Sequence, residues 1–177
     1  MPKPTQNNHG FTLTEVLLAF LIGSIVILVC TVLLVSASNY FRNMETTNQD
    51  KLFGDAVLSM LKEELAYAER IQILEHGTTQ TPTYSNVFKI NTGRLYWNEN
   101  DIYETIYSNQ TVELQLAPQS GTVLMLTVTI KNAAGTPTYT VRQTFTANTM
   151  AAQSRSIEGL ATGMLTNPVI SYQKSGE

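Results

Sequence analysis

The sequence has one cysteine, Cys30, and few charged side chains for its length of 177 residues. A single cysteine excludes an intrachain disulfide, and the cysteine and histidine spacing of a zinc site is missing. The 11 basic and 14 acidic residues give a net charge of −3, and the basic residues form no run. Nucleic-acid binding requires clustered cations against phosphates. We therefore expect a domain that depends on its apolar core and has no nucleic-acid partner.

Catalytic signatures are equally scarce. The sequence contains no G-x-S-x-G, no H-E-x-x-H and no phosphate-cradling glycine loop. Glu63 and Glu64 are adjacent, so on a helix their carboxylates diverge by about 100°, and His76 is expected to cap a helix end. The polar run from Asn98 to Asp101 has oxygen ligands for calcium, but a turn explains it without an ion. We predict no enzymatic activity, no cofactor and no metal.

One feature is abundant: a long uncharged segment near the N-terminus. It begins at Val16 and ends at Ala37, and its 22 residues carry no charge. About 20 apolar residues cross the ~30 Å of a bilayer, whereas the apolar part of a cleaved secretory signal has about 7–15 residues. The segment is therefore predicted to be a retained transmembrane helix, which makes Cys30 a small apolar residue within it.

A carboxylate, Glu15, stands directly before this segment. A charge at the centre of a membrane helix costs about 2.5–3.5 kcal/mol on insertion scales, and less near the interface. Glu15 could lie at the headgroup boundary, where an acid in the first helical turn is favoured by the helix dipole. Alternatively, it could pair with a positive charge from another chain or from a newly made amine.

The residues around Glu15 resemble a known processing signal. The stretch GFTLTE, from Gly10 to Glu15, followed by the apolar run, resembles the signature of type IV prepilins and of the pseudopilins of type II secretion and competence systems. The resemblance covers about a fifth of the chain. It implies that a membrane-embedded prepilin peptidase cuts between Gly10 and Phe11 on the cytoplasmic side and then methylates the new amino terminus on Phe11.

This resemblance gives Glu15 a specific expected role. Processing would create a charged amine on Phe11 near the depth of the Glu15 carboxylate. In a growing filament, Glu15 of an incoming subunit could then pair with the Phe11 amine of a docked subunit. Because an unpaired buried charge is costly and a paired one recovers much of that cost, the pair would set the register between subunits.

Two features differ from the family pattern. The leader contains only one full cation, Lys3, and His9 precedes the cut where the family often has lysine or arginine. Major pilins often have a kinking proline near the position of Val32, whereas the apolar run has none, and Gly23 is its only weak helix former. The missing proline and the missing cysteine pair favour a minor pilin or pseudopilin.

The remaining sequence predicts an α+β fold with an antiparallel sheet. Apolar residues at three- and four-residue steps predict one helix from Phe11 to about Leu74. "VFKI" and "RLYW" predict a hairpin with a three-residue loop that begins at Asn91, and "VLMLTVTIK" and "TYTVRQTFT" predict a second hairpin. Further predictions are edge strands over 102–107 and 112–116, a weak helix over 154–160 and a short strand over 169–172. The expected divisions are a leader (1–10), a transmembrane or filament-core helix (11–38), an amphipathic helix half (39–76) and a β-rich head (77–177).

The resemblance implies a structural subunit of a type IV pilus, type II secretion or competence filament. Its expected partners are the prepilin peptidase, other pilins, and the membrane platform with its assembly ATPase. The chain would span the inner membrane once with its head outside the cytoplasm, and later enter a periplasmic or cell-surface filament. The alternative is a membrane-anchored exported binding domain that never enters a filament and keeps its first ten residues.

Overall fold

A computed structural model of the chain describes residues 12–104, 110–159 and 163–176. These residues form two helices and nine strands: α1 (Leu13–Ala66), β1 (Ala68–Leu74), β2 (Asn86–Asn91), β3 (Arg94–Trp97), β4 (Asn100–Asp101), β5 (Thr111–Ser120), β6 (Val123–Lys131), β7 (Pro137–Thr146), α2 (Asn148–Ala152), β8 (Leu165–Thr166) and β9 (Val169–Lys174). The predicted α+β class is confirmed. The chain divides into two compact units, residues 1–45 and 46–177.

In the first unit, the described residues form the N-terminal part of α1, and their side chains are almost all exposed. The few hydroxyl groups bond to the helix itself: Ser24 donates to the carbonyl of Leu21 at 2.7 Å, and Thr31 donates to that of Ile27 at 2.8 Å. Polar groups in lipid need such internal partners, because the bilayer core has no water to offer them.

The second unit contains the end of α1, which is shorter than predicted. The helix ends at Ala66, and residues 68–74, predicted as helix, form β1. The apolar residues Leu65, Ala68 and Ile71 continue a three-residue step, but Ile71 and Ile73 also alternate with the less buried Gln72. Pairing with β9 satisfies the backbone of this segment and buries the isoleucines. The tertiary partner therefore decides between two patterns that the local sequence leaves nearly equal.

The head contains two antiparallel sheets, with strand orders β1-β9-β2-β3-β4 and β7-β6-β5-β8. One hydrophobic core includes residues of α1 and of both sheets. The helix supplies a stripe at three- and four-residue steps, and each member is at most 4% exposed: Phe53, Val57, Leu58, Leu61 and Leu65. The amphipathic face predicted for this half of the helix is therefore the face that packs into the head.

Both predicted hairpins are present. In the β2–β3 hairpin, Asn91 pairs with Arg94, so the loop has two residues rather than the predicted three. Thr92 and Gly93 both have positive φ, 49° and 76°, as the two central residues of a type I′ turn require. The β6–β7 hairpin connects its strands through residues 132–136, where Asn132 accepts hydrogen bonds from two loop amides through its side chain.

The remaining elements differ in part from the predictions. Residues 112–116 lie in β5, which pairs with β6 and β8 and is not an edge strand. Residues 102–104 form a turn rather than a strand, and 105–107 lie outside the described residues. The predicted helix over 154–160 is wrong for residues 154–159, which are not helical, and α2 ends before them. The predicted strand over 169–172 is confirmed within β9.

Candidate functional site

The candidate site begins at the first turn of α1, where Glu15 closes back on Thr12. The Glu15 carboxylate accepts hydrogen bonds from the backbone amide of Thr12 at 2.9 Å and from its hydroxyl at 3.0 Å. In return, the backbone amide of Glu15 donates to the Thr12 hydroxyl at 3.3 Å. Thr12 and Glu15 occupy the N-cap and third positions of a capping box, in which two side chains satisfy each other's free amides.

This arrangement supports the first of the two alternatives for Glu15 and leaves room for the second. The carboxylate has a local partner at the helix start, as expected of an acid in a first turn. The capping signal, threonine followed three residues later by glutamate, was present in the sequence and was missed. Gly10 and Phe11, the predicted cleavage and methylation residues, lie outside the described residues, so the predicted amine and its pairing with Glu15 stay predictions.

The apolar run that follows Glu15 is exposed along almost its whole length in the described part of the chain. By length and composition, α1 could cross a membrane, and the most apolar window of the helix has a mean hydropathy of 3.0 with none of it buried. Exposed leucine, isoleucine and phenylalanine side chains surround this part of the helix, among them Phe20 at 80% and Leu34 at 71% exposure. Such a surface requires lipid or other helices to cover it.

A second cluster attaches the helix to the first sheet through Glu64. The Glu64 carboxylate accepts a hydrogen bond from the hydroxyl of Tyr172 at 2.5 Å and forms an ion pair with Lys174 at 2.8 Å. Both partner residues lie on β9. The indole of Trp97 donates to the same tyrosine hydroxyl at 3.0 Å. Phe88 stacks on Tyr172, with ring centroids 5.5 Å apart. The cluster connects α1, β2, β3 and β9.

The partners of Glu64 also change its acidity. Burial is the largest influence and acts to raise the pKa of Glu64, but the hydrogen bonds from Lys174 and Tyr172 and the charge of Lys174 outweigh it, so the pKa lies below its ordinary value of 4.5. Glu63, its neighbour in sequence, points to solvent. The predicted divergence of the two carboxylates is confirmed, and they do not form a catalytic pair.

The helix contacts the second sheet through Gly54 and Asp55. A side chain at Gly54 would lie 2.7 Å from the ring of Tyr139 on β7, so this close approach requires glycine. The hydroxyl of Tyr139 donates to the Asp55 carboxylate at 2.8 Å. Burial, followed by the bond to Asp55 and its negative charge, raises the pKa of Tyr139. One turn earlier, the buried Asp50 accepts a hydrogen bond from the side-chain amide of Gln110.

The polar run considered for calcium has other partners. Glu99 pairs with Lys89 at 2.6 Å, and Asp101 pairs with Arg94 at 3.1 Å. Within the described ranges, no group of three or more histidine, cysteine or acidic side chains is arranged to hold a metal ion. His76 lies in the turn after β1, so the prediction that it caps a helix end is wrong.

Two pairs of aromatic residues contribute to the hydrophobic core or pack against it. The Trp97 ring stacks on Phe88 with centroids 6.1 Å apart. The ring of Tyr103 meets that of Phe53 edge-on at 5.3 Å. Contacts of this kind between aromatic rings stabilise a core and need no ligand.

Comparison with known proteins gives one match. The family model described as the prokaryotic N-terminal methylation motif matches residues 5–31, which include the capping box and the first part of the apolar run. No curated protein and no solved structure matches the chain. The motif and the apolar helix support anchoring in a membrane. With the antiparallel sheets that pack on the helix, the motif supports the resemblance of the chain to the type IV pilin and pseudopilin family.

Proposed function

We propose that the chain is a minor, non-catalytic structural subunit of a type IV pilus, type II secretion or competence filament. The observation that carries the proposal is the methylation motif at residues 5–31. The motif includes the start of α1 and the first part of its exposed apolar run. The lack of a kinking proline in this helix and the single cysteine favour a minor subunit. The partners are the prepilin peptidase, other pilins, and the membrane platform with its ATPase.

Processing is proposed to occur between Gly10 and Phe11. The cut would remove residues 1–10 and leave a methylated Phe11 one residue before the N-cap of α1. The helix then holds the chain in the inner membrane, with the head outside the cytoplasm. In the filament, neighbouring apolar helices cover the exposed run, which supplies the favourable free energy of assembly once the helix leaves lipid.

Glu15 is proposed to set the register between subunits by pairing with the Phe11 amine of a neighbour. The capping box presents the Glu15 carboxylate at the helix start with two local hydrogen bonds. A carboxylate has about four acceptor positions, so these bonds leave capacity for an ammonium group. The charge of Glu15 would remain uncompensated until a second subunit docks, and a correctly placed neighbour would therefore be favoured over a displaced one.

Two variants of Glu15 separate its capping role from its charge. Glutamine at the third helical position also forms a capping box, so Glu15→Gln keeps the local bonds and removes the charge, whereas Glu15→Ala removes both. We expect both variants to be cleaved and methylated at Phe11 but to enter filaments at least about tenfold less than wild type, because an unpaired buried amine costs several kcal/mol. The measurements are intact mass of the membrane-extracted protein and its amount in sheared filaments.

Controls and contrary outcomes are specific to each step. Ser24→Ala removes a hydroxyl that bonds only within the same helix and should enter filaments normally, whereas Gly10→Ala should block cleavage. Normal incorporation of Glu15→Gln would contradict the charge-pairing role. A wild-type mass that still includes residues 1–10, with no filament association, would contradict the whole proposal and favour a membrane-anchored binding domain.

A further inference from the structure

Among the described residues, no strand lies beside the outer edge of β7, which is a long row of backbone groups. The amide of Ala147, just after β7, donates to the carbonyl of Thr122 at 3.0 Å, and the β6–β7 register continues this pairing along the hairpin. Hydrogen-bonded and non-hydrogen-bonded pairs alternate in an antiparallel ladder. The backbone groups of alternate residues therefore point away from β6: Thr140, Arg142, Thr144 and Thr146.

The other sheet borders in the described part of the chain are short or covered. The outer edge of β1 pairs with Glu158, whose amide donates to Ile71 and whose carbonyl accepts from Ile73, each at 2.9 Å. The side of β5 opposite β6 is covered by Gly93, Asn167 and β8. β4 and β8, the remaining edge strands, have two residues each. Proteins commonly protect their edges in these ways.

β7 has little of this protection. It has ten residues, and its one proline, Pro137, is the first of them. Its four outward-facing residues are exposed, and three of them are threonines, which favour strands. The opposite face is held in place by Tyr139, which bonds to Asp55, and by Phe145, which is buried. The strand is therefore packed on one face, while the residues that point away from β6 are exposed.

Arg142 indicates what kind of strand fits this edge. It is the one charged residue of β7, and its guanidinium donates to the hydroxyl of Thr127, a neutral group, at 3.2 Å. None of the ion pairs among the described residues involves it. A second copy of β7 fits this edge poorly. If two copies paired in antiparallel orientation about their midpoints, their Arg142 side chains would lie opposite or diagonal to each other, and the like charges would repel.

We propose that the outer edge of β7 is a docking site for an extended segment of a different protein chain, which adds a strand to the second sheet and places an acidic side chain against Arg142. Backbone hydrogen bonds would supply the affinity, and the charge pair would fix the register. The inference goes beyond the proposed filament role and does not depend on it, since it concerns the head alone.

Designed peptides test the proposal on the full chain in detergent. Two nine-residue peptides on a soluble carrier alternate threonine and valine and differ only in a central glutamate or lysine. We expect wild type to bind the glutamate peptide about five- to tenfold more tightly, and Arg142→Glu to reverse the preference, because attraction and repulsion across a strand pair each contribute up to about 1 kcal/mol. Saturating peptide should slow amide exchange at Thr140, Arg142, Thr144 and Thr146 by at least about tenfold.

A backbone variant separates strand addition from simple charge attraction. Thr144→Pro removes an outward amide without removing a bond to β6, and Thr144→Val keeps the amide. The proline variant should lose peptide binding while the valine variant binds normally. Three results would each overturn the proposal. The first is no binding of the glutamate peptide at 1 mM, which corresponds to a binding free energy weaker than about −4 kcal/mol. The others are unchanged exchange at the four amides and self-association of the wild-type chain through β7.

Discussion

At the scale of single residues, two glutamates in one helix perform different tasks. Glu15 closes the first turn through Thr12, and its partners lie within three residues of it. Glu64 bonds Tyr172, which is 108 residues away in sequence and fully buried. The partner of Glu15 is therefore local, whereas Glu64 connects the helix to a sheet strand that is distant in sequence.

The Glu64 cluster leads to a prediction about stability. Glu64→Gln keeps an acceptor for Tyr172 but loses the ion pair with Lys174, which is partly exposed, so we expect a loss of about 1 kcal/mol in the free energy of unfolding at pH 7. Glu64→Ala also leaves the tyrosine hydroxyl without its acceptor and should cost about 2 kcal/mol. Urea unfolding of the full chain in detergent, followed by Trp97 fluorescence, measures both losses.

The same residue should contribute to the pH dependence of stability. Because its folded-state pKa lies below the ordinary value of 4.5, ionised Glu64 stabilises the folded state above that pH, and this stability is lost as the pH falls through the folded-state pKa. The advantage of wild type over Glu64→Gln should therefore shrink as the pH falls below 4.5 and through the lowered folded-state pKa. An advantage that stays constant with pH would contradict the ionised pair.

Residue-level prediction from sequence is possible where the partners are near in sequence. Glu15 stands in a recognisable local pattern, because its partner Thr12 is only three residues away. Glu64 could not be found in this way, because Glu63 beside it looks equivalent until the fold brings Tyr172 and Lys174 to only one of them. Asp50 and Gln110 are 60 residues apart and pose the same difficulty.

At the scale of elements, sequence patterns located most strands but not the end of the helix. Alternating β-branched residues and turn glycines identified both hairpins, since those signals depend on a few neighbouring residues. The segment 68–74 satisfies helix and strand periods at once, and β9, almost 100 residues later, decides its conformation. The division into two sheets follows from pairing partners that are similarly distant in sequence.

The crossing of α1 and β7 gives a test at this scale. Alanine is favoured over glycine in a helix by about 1 kcal/mol, but at Gly54 its methyl group would overlap the ring of Tyr139. We expect Gly54→Ala to destabilise wild type by up to about 2 kcal/mol and to stabilise a Tyr139→Ala variant by about 1 kcal/mol. A double-mutant cycle from urea unfolding should give a coupling of about 1–3 kcal/mol. Additive effects would show that the ring does not restrict the helix.

At the scale of the whole molecule, the chain combines two units whose surfaces suit different surroundings, lipid or other helices for the first and water for the second. Residues 1–45 present an apolar helix for lipid or for other helices, and residues 46–177 enclose their own core. Every residue described as buried lies at Asp50 or beyond. The head therefore does not need the first unit to bury its apolar side chains.

This division predicts that residues 46–177 fold as an independent, water-soluble domain. The fragment keeps the buried helical stripe from Phe53 to Leu65 and both sheets, and none of the described residues that it loses is buried. A domain of this size buries enough of its surface to be stable without a disulfide. The fragment lacks Cys30, and this loss should not reduce its stability. We expect cooperative thermal unfolding by circular dichroism and a urea midpoint close to that of the full chain in detergent.

A fragment that begins at residue 60 removes Phe53, Val57 and Leu58 and should fail to unfold cooperatively, because each lost large side chain costs about 2–5 kcal/mol. If the longer fragment also failed, the first unit would contribute to the stability of the head.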